Sequence, residues 1–124
     1  MNERNSKNIL AQYLYYIFSG IRLSYGCVRL NFWRLRGARI GLKSRLHSGL
    51  SINYPWNLKV GNSSVIGRNC TIINCKSIKE LPTLRIGDYV RIGHNVTIEA
   101  NYDIEIRDNT LIAPNCYITD STHN

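Results

Sequence analysis

Three histidines and four cysteines are the side chains here with acid–base or nucleophilic chemistry near neutral pH: His47, His94, His123, Cys27, Cys70, Cys75 and Cys116. The segment ITDSTHN, residues 118–124, places His123 one residue from the final Asn124, a position usually left to a tag or a frayed tail. Imidazole is the side chain best suited to taking and returning protons at neutral pH, so a chemical role has to be weighed there. The cysteines form no CxxC pair, have no histidine at zinc-finger spacing, and accompany no secretory signal. A reduced, intracellular chain with no bound metal is the expectation.

One domain has to position these groups. The chain has 124 residues, 44% hydrophobic and 19% charged, with 3 prolines, which is globular rather than disordered composition. Its net charge of +8 is uneven: residues 1–45 hold nine Arg or Lys against the single Glu3, and residues 46–124 hold seven of each sign. No run approaches the roughly 18 to 20 apolar residues of a spanning helix. The longest, Ile9 to Phe18, is about half that and is followed by Gly20 and Arg22.

Two periods divide the sequence. In residues 1–36, Ile9, Tyr13, Ile17 and Ile21 fall four apart beside Leu10, Leu14 and Phe18, an apolar stripe on a helix. A second helical stretch is expected after Gly20, from about Leu23 to Leu35. There Arg22, Arg29 and Arg36 recur every seven residues and share a face, drifting about 20° per heptad. This basic, aromatic arm either packs on its own domain or a neighbouring subunit, or lies on an anionic membrane surface. No nucleic-acid motif accompanies it, so nucleic acid is not expected as a partner.

From Ile40 the period is six. Ile40, Leu46 and Ile52 form one triplet; Val60, Ile66 and Ile72 a second; Ile86, Ile92 and Ile98 a third; Ile106, Ile112 and Ile118 a fourth. Corresponding positions recur every 20, 26 and 20 residues. The longer step places an insertion around Cys75 to Thr83, with Ile78 as an alternative rung. Glycine follows the aliphatic residue at Gly41, Gly61, Gly67, Gly87 and Gly93, and small or β-branched residues stand four after it, as at Ser44, Ser64, Cys70, Val90, Val96, Thr110, Cys116 and Thr122. Six residues make a short strand plus a tight corner, and three such faces close one turn of a parallel solenoid. Cys70 and Cys116 then read as small corner fillers, and His94 and His47 as solvated surface residues. Period alone gives no handedness.

The stretch LRIGDYVRIGHNVTIEA (84–100), followed by IRDNTLIAPNCYITD (106–120), closely resembles the hexapeptide-repeat acyltransferases, over about Ile40 to Asn124. The IAPN segment (Ile112 to Asn115) and the order of the last two turns resemble the sugar O-acetyltransferase branch that includes galactoside, maltose and lipopolysaccharide O-acetyltransferases. The resemblance implies an all-β solenoid, a left-handed parallel β-helix of about four turns, normally trimeric, behind an N-terminal helical segment whose sequence varies. It implies transfer of an acetyl group from acetyl-CoA to a sugar hydroxyl, in surface polysaccharide or lipopolysaccharide biosynthesis. The chain would then be cytoplasmic, peripheral to the inner face of the membrane.

By the same resemblance His123 stands where the family keeps its catalytic histidine. Asn101 stands where an acidic residue often holds the acceptor, and Gly93 where an asparagine does. Asp120 would either orient His123 or cap its turn. The turns that follow the catalytic histidine in the family, which supply most coenzyme A contacts, have no counterpart here. A truncated member or a fragment of a longer protein, inactive by itself, is therefore expected. The alternative is a non-catalytic solenoid that associates through an open strand edge.

Overall fold

The computed structural model describes residues 3–75 and 82–121, and at residues 3–8 and 16–25 only the helical backbone. The described chain is mostly β, preceded by one long helix.

Helix α1 runs Glu3–Leu35 without a break, about 50 Å at 1.5 Å per residue, where two stretches divided at Gly20 were expected. A glycine costs a helix only about 1 kcal/mol, and with no proline beside Gly20 or Gly26 the backbone continues through both. The stop lies instead at Gly37, whose φ of 104° is a conformation that side-chain-bearing residues rarely adopt. There the Ala38 N–H donates to Trp33 O and the Gly37 N–H to Arg34 O, the paired bonds that close a helix with a left-handed glycine.

Among the described residues, twelve short strands follow in three parallel sheets of four. Sheet one stacks β1 (Arg39–Ile40), β4 (Leu58–Val60), β7 (Leu84–Ile86) and β10 (Ile104–Ile106). Sheet two stacks β2 (Arg45–Leu46), β5 (Val65–Ile66), β8 (Arg91–Ile92) and β11 (Leu111–Ile112). Sheet three stacks β3 (Ser51–Ile52), β6 (Thr71–Asn74), β9 (Thr97–Ala100) and β12 (Tyr117–Thr119). This is a parallel β-solenoid, and its register is the one the triplets predict. Ile40 pairs with Val60, Val60 with Ile86 and Ile86 with Ile106; Leu46, Ile66, Ile92 and Ile112 align on sheet two, and Ile52, Ile72, Ile98 and Ile118 on sheet three. Pairing of Val60 with Ile86 gives the rung to Ile86 rather than to Ile78, which lies outside the described residues.

The aliphatic rungs point inward and form one continuous core, buried from Ile40 to Ile106, with Ile112 and Ile118 half-buried in the last strands. Each buried rung is worth roughly 1.5 to 3 kcal/mol over an exposed one. Charged neighbours such as Arg39, Lys59 and Arg91 face outward. The glycine after a rung answers to stacking: a Cβ on Gly61 would lie 2.7 Å from the Gly87 carbonyl, and one on Gly93 would lie 2.6 Å from Pro114 N. Residues four after a rung fill the corners from inside. Ser44 and Ser64 form a buried ladder, each hydroxyl donating to the glycine carbonyl of the next layer and accepting the N–H at its own position one layer on.

The third residue after a rung is left-handed at every corner after sheets one and two. Lys43, Ser63, Tyr89 and Asn109 have φ of 55 to 62°, and Gly49, Asn69, Asn95 and Asn115 have φ of 57 to 78°. Asparagine and glycine hold five of these eight places, because they enter that region at least cost.

Hydrogen bonds between layers run both ways: the Ser63 and Asn69 N–H groups donate down to the Leu42 and Ser48 carbonyls, and others donate up. Gly41, Arg45 and His47 donate their N–H groups to Val60, Ser64 and Ile66 carbonyls above, and Gly87, Arg91, Gly93 and Thr97 repeat this toward Ile106, Thr110, Ile112 and Cys116. In the first layer the carbonyls matching Val60 and Ile66 are those of Ile40 and Leu46. Arg34 donates to Ile40 O at 2.9 Å and Arg29 to Leu46 O at 2.9 Å, while Trp33 is buried against the core. Thus the last three turns of α1 close the lower edge of the stack. Among the described residues no helix is long and apolar enough to cross a membrane.

Candidate functional site

Residues 99–103 and 117–121 meet at the corner beyond sheet three, because β12 pairs with β9 in a register that sets Thr119 opposite Glu99. The Asp120 carboxylate crosses to the layer below and accepts three backbone N–H groups, from Asn101 at 2.7 Å, Tyr102 at 2.9 Å and Asp103 at 2.7 Å. Burial alone would raise the Asp120 carboxyl, but these donors outweigh it and hold the group below its ordinary range. Asp120 therefore builds the corner of its neighbouring layer.

Around it lies a connected polar surface. Asn101 donates its side-chain N–H to Glu99 at 3.4 Å, and the Tyr117 hydroxyl donates to the other Glu99 oxygen. That bond raises the Tyr117 phenol, since a proton given to a carboxylate is held more firmly. Thr119 and Ser121 hydroxyls lie 2.8 Å apart, and Asp103 ties the corner to sheet one through Arg85 Nη1 at 2.8 Å.

The sequence-derived residues fare unequally. Asn101 and Asp120 are brought together, whereas His123 lies outside the described residues. Glu99 and Tyr117 were missed. Both are readable once the register is known, since Tyr117 stands outward over Thr97, and Glu99 takes the place after a rung that glycine holds in the other two sheets. Gly93 has no room for the asparagine of the resembling enzymes while Pro114 sits above it.

His94 is exposed, but it is more than a solvated side chain. Its Nδ1 accepts the Arg68 N–H at 2.8 Å, so it caps a corner as Asp120 does. His47 lies edge-on to His94, with ring centroids 6.4 Å apart. Burial first, and then the positive charge of Arg68, lower its pKa. The two line an open groove of about 380 Å³ on sheet two, with Val65, Arg91, Leu111 and Pro114, away from the Asp120 corner. Cys70 is a buried corner filler whose thiol donates to Gly93 O at 3.2 Å, and burial raises its pKa. Among the described residues no three His, Cys, Asp or Glu side chains are grouped to hold a metal ion.

No protein-family model, no curated protein and no solved structure matches this chain.

Proposed function

We propose that the chain is a hexapeptide-repeat acyltransferase whose three sheets wind left-handed in about four turns. It moves an acetyl group from acetyl-CoA to a sugar hydroxyl, in surface polysaccharide or lipopolysaccharide synthesis, as a homotrimer. One observation carries this reading: the six-residue frame whose IAPN segment resembles the sugar O-acetyltransferases also brings Asn101 and Asp120 together at one corner.

In this reading His123 is the general base. It takes the proton of the sugar hydroxyl as that oxygen attacks the thioester carbonyl; the new C–O bond forms, the C–S bond breaks, and the thiolate leaves and takes up a proton. Asn101 and Glu99 offer hydrogen bonds to the acceptor's other hydroxyls, and Asp120 holds the corner from which the chain continues to residue 123.

The test is thiol release from acetyl-CoA with a panel of glycoside acceptors. Protein extended through the reading frame after residue 124 is expected to turn over, and His123→Ala in that protein to be slower by on the order of 100 to 10,000-fold. Equal rates for the two, or an extended protein that neither turns over nor binds acetyl-CoA by calorimetry, would overturn the reading.

The upper strands favour one second reading, a non-catalytic solenoid covered by a partner, since Leu111 is 76% exposed and Ile112 and Ile118 are half-buried. Monodisperse monomers in sedimentation velocity would count against it.

A further inference from the structure

The last turns of α1 divide their side chains between two opposite sides. Arg29, Leu30, Trp33 and Arg34 turn toward the solenoid, through buried or half-buried contacts and the carbonyl bonds to Ile40 and Leu46. Val28 and Phe32 face away, at 64% and 49% exposure. Leu10 and Leu14, at 62% and 45%, precede them by eighteen residues each, which is five full turns at 3.6 residues per turn. Leu10, Leu14, Val28 and Phe32 therefore stand on one line of the helix, two in its first third and two in its last turns, with Tyr13 beside the first pair. Such a face uncovered in water is unfavourable by roughly 25 cal/mol per Å² of apolar surface, so an occupant is called for.

The charge of the segment selects that occupant. Exposed Arg36, Arg39, Lys43 and Arg45 follow the last turn of the helix, where Val28 and Phe32 stand uncovered. Residues 1–45 hold nine basic residues and one acid. A second copy laid against this stripe would bring like charges together, whereas an anionic surface would neutralise them. Apolar and aromatic side chains along one line beside basic residues are what an interfacial helix presents to lipid.

We propose that α1 is a membrane-surface helix that docks on anionic phospholipid through Leu10, Tyr13, Leu14, Val28 and Phe32, carrying the solenoid on its opposite side. Because Arg29 and Arg34 are committed to the solenoid's carbonyls, docking fixes the orientation of the β body relative to the bilayer. This inference does not depend on acyl transfer.

The test is co-sedimentation of the full chain with vesicles of phosphatidylcholine alone or with a third phosphatidylglycerol, at low and at 0.5 M salt. Binding to the anionic vesicles is expected to be at least about tenfold tighter, and to weaken in salt as screening shortens the reach of the charges. Leu10→Glu/Leu14→Glu should reduce it at least about tenfold while leaving the circular dichroism unchanged, since both side chains are exposed. Equal affinity for the two vesicles, or no binding to either, would overturn the proposal. So would an oligomer that the double variant dissociates, because the stripe would then be covered by a second copy.

Discussion

The lower edge of the stack is covered by α1 and the upper edge is not, although both edges carry donors and acceptors, since bonds run up from Gly41 N–H to Val60 O and down from Ser63 N–H to Leu42 O. Below, guanidinium groups of Arg29 and Arg34 meet the carbonyls and Trp33 covers the core. Above, the equivalent N–H groups belong to Arg107, Leu111, Ala113 and Tyr117, for which no acceptor lies among the described residues. A second copy approaching the lower end would meet α1, which already occupies the Ile40 and Leu46 carbonyls. The same helix thus finishes one end of the solenoid, a protection open strand edges need.

Breaking the lower closure should have the largest effect. Trp33→Ala removes a buried aromatic and is expected to cost roughly 3 to 5 kcal/mol in urea denaturation, with concentration-dependent light scattering as copies begin to stack. Scattering unchanged at protein concentrations where α1 has melted would separate its stabilising role from its blocking role.

The glycine column sharpens the comparison. Gly93→Val drives a side chain into Pro114 and should cost about 3 kcal/mol, as overpacking against backbone does. Ala113→Val makes a similar change in the last layer, where Ala113 is exposed, and is expected to stay within about 0.5 kcal/mol. Similar losses in the two variants would mean that Ala113 is covered in solution.

Asp120 gives the smallest effect. Asp120→Ala leaves three N–H groups without their acceptor and should cost about 1 to 2 kcal/mol, discounted for partial exposure. Its folded pKa is depressed, so the contribution is fully present above the unfolded value of about 3.9 and is lost as pH falls through the lower folded value. Wild type and variant should therefore converge in chemical denaturation curves as the pH drops below about 4.

Much of the solenoid was legible, because burying one aliphatic residue per face every six positions leaves a period that no helix shares. From it came the rungs, the register and the place of the extra residues. The left-handed corner residues were equally readable in Asn69, Asn95, Asn109, Asn115 and Gly49, a column the spacing of glycines overshadowed. Helix α1 was misjudged at Gly20, since an apolar stripe running through a glycine favours continuity over a break. The polar corner was hidden for a different reason. Asp120 with residues 101–103, Tyr117 with Glu99, and His94 with Arg68 join adjacent layers 17 to 26 residues apart, and they become neighbours only after the layers are aligned.

The 26-residue step has a practical consequence. Layers pair in the same register on both sides of it, Ile72 with Ile98 as Ile52 with Ile72, so the six extra residues change nothing in the stack. Their two ends are fastened on the solenoid: Asn57 donates to Cys75 O at 2.8 Å, Thr83 donates to Asn74 Oδ1 at 3.3 Å, and Ile104 donates to Thr83 O at 2.8 Å. The strands on both sides keep the register set by their own rungs. The site is a ready graft point, where a fluorophore tag or a foreign epitope could be carried on the side of the stack without retuning a single rung.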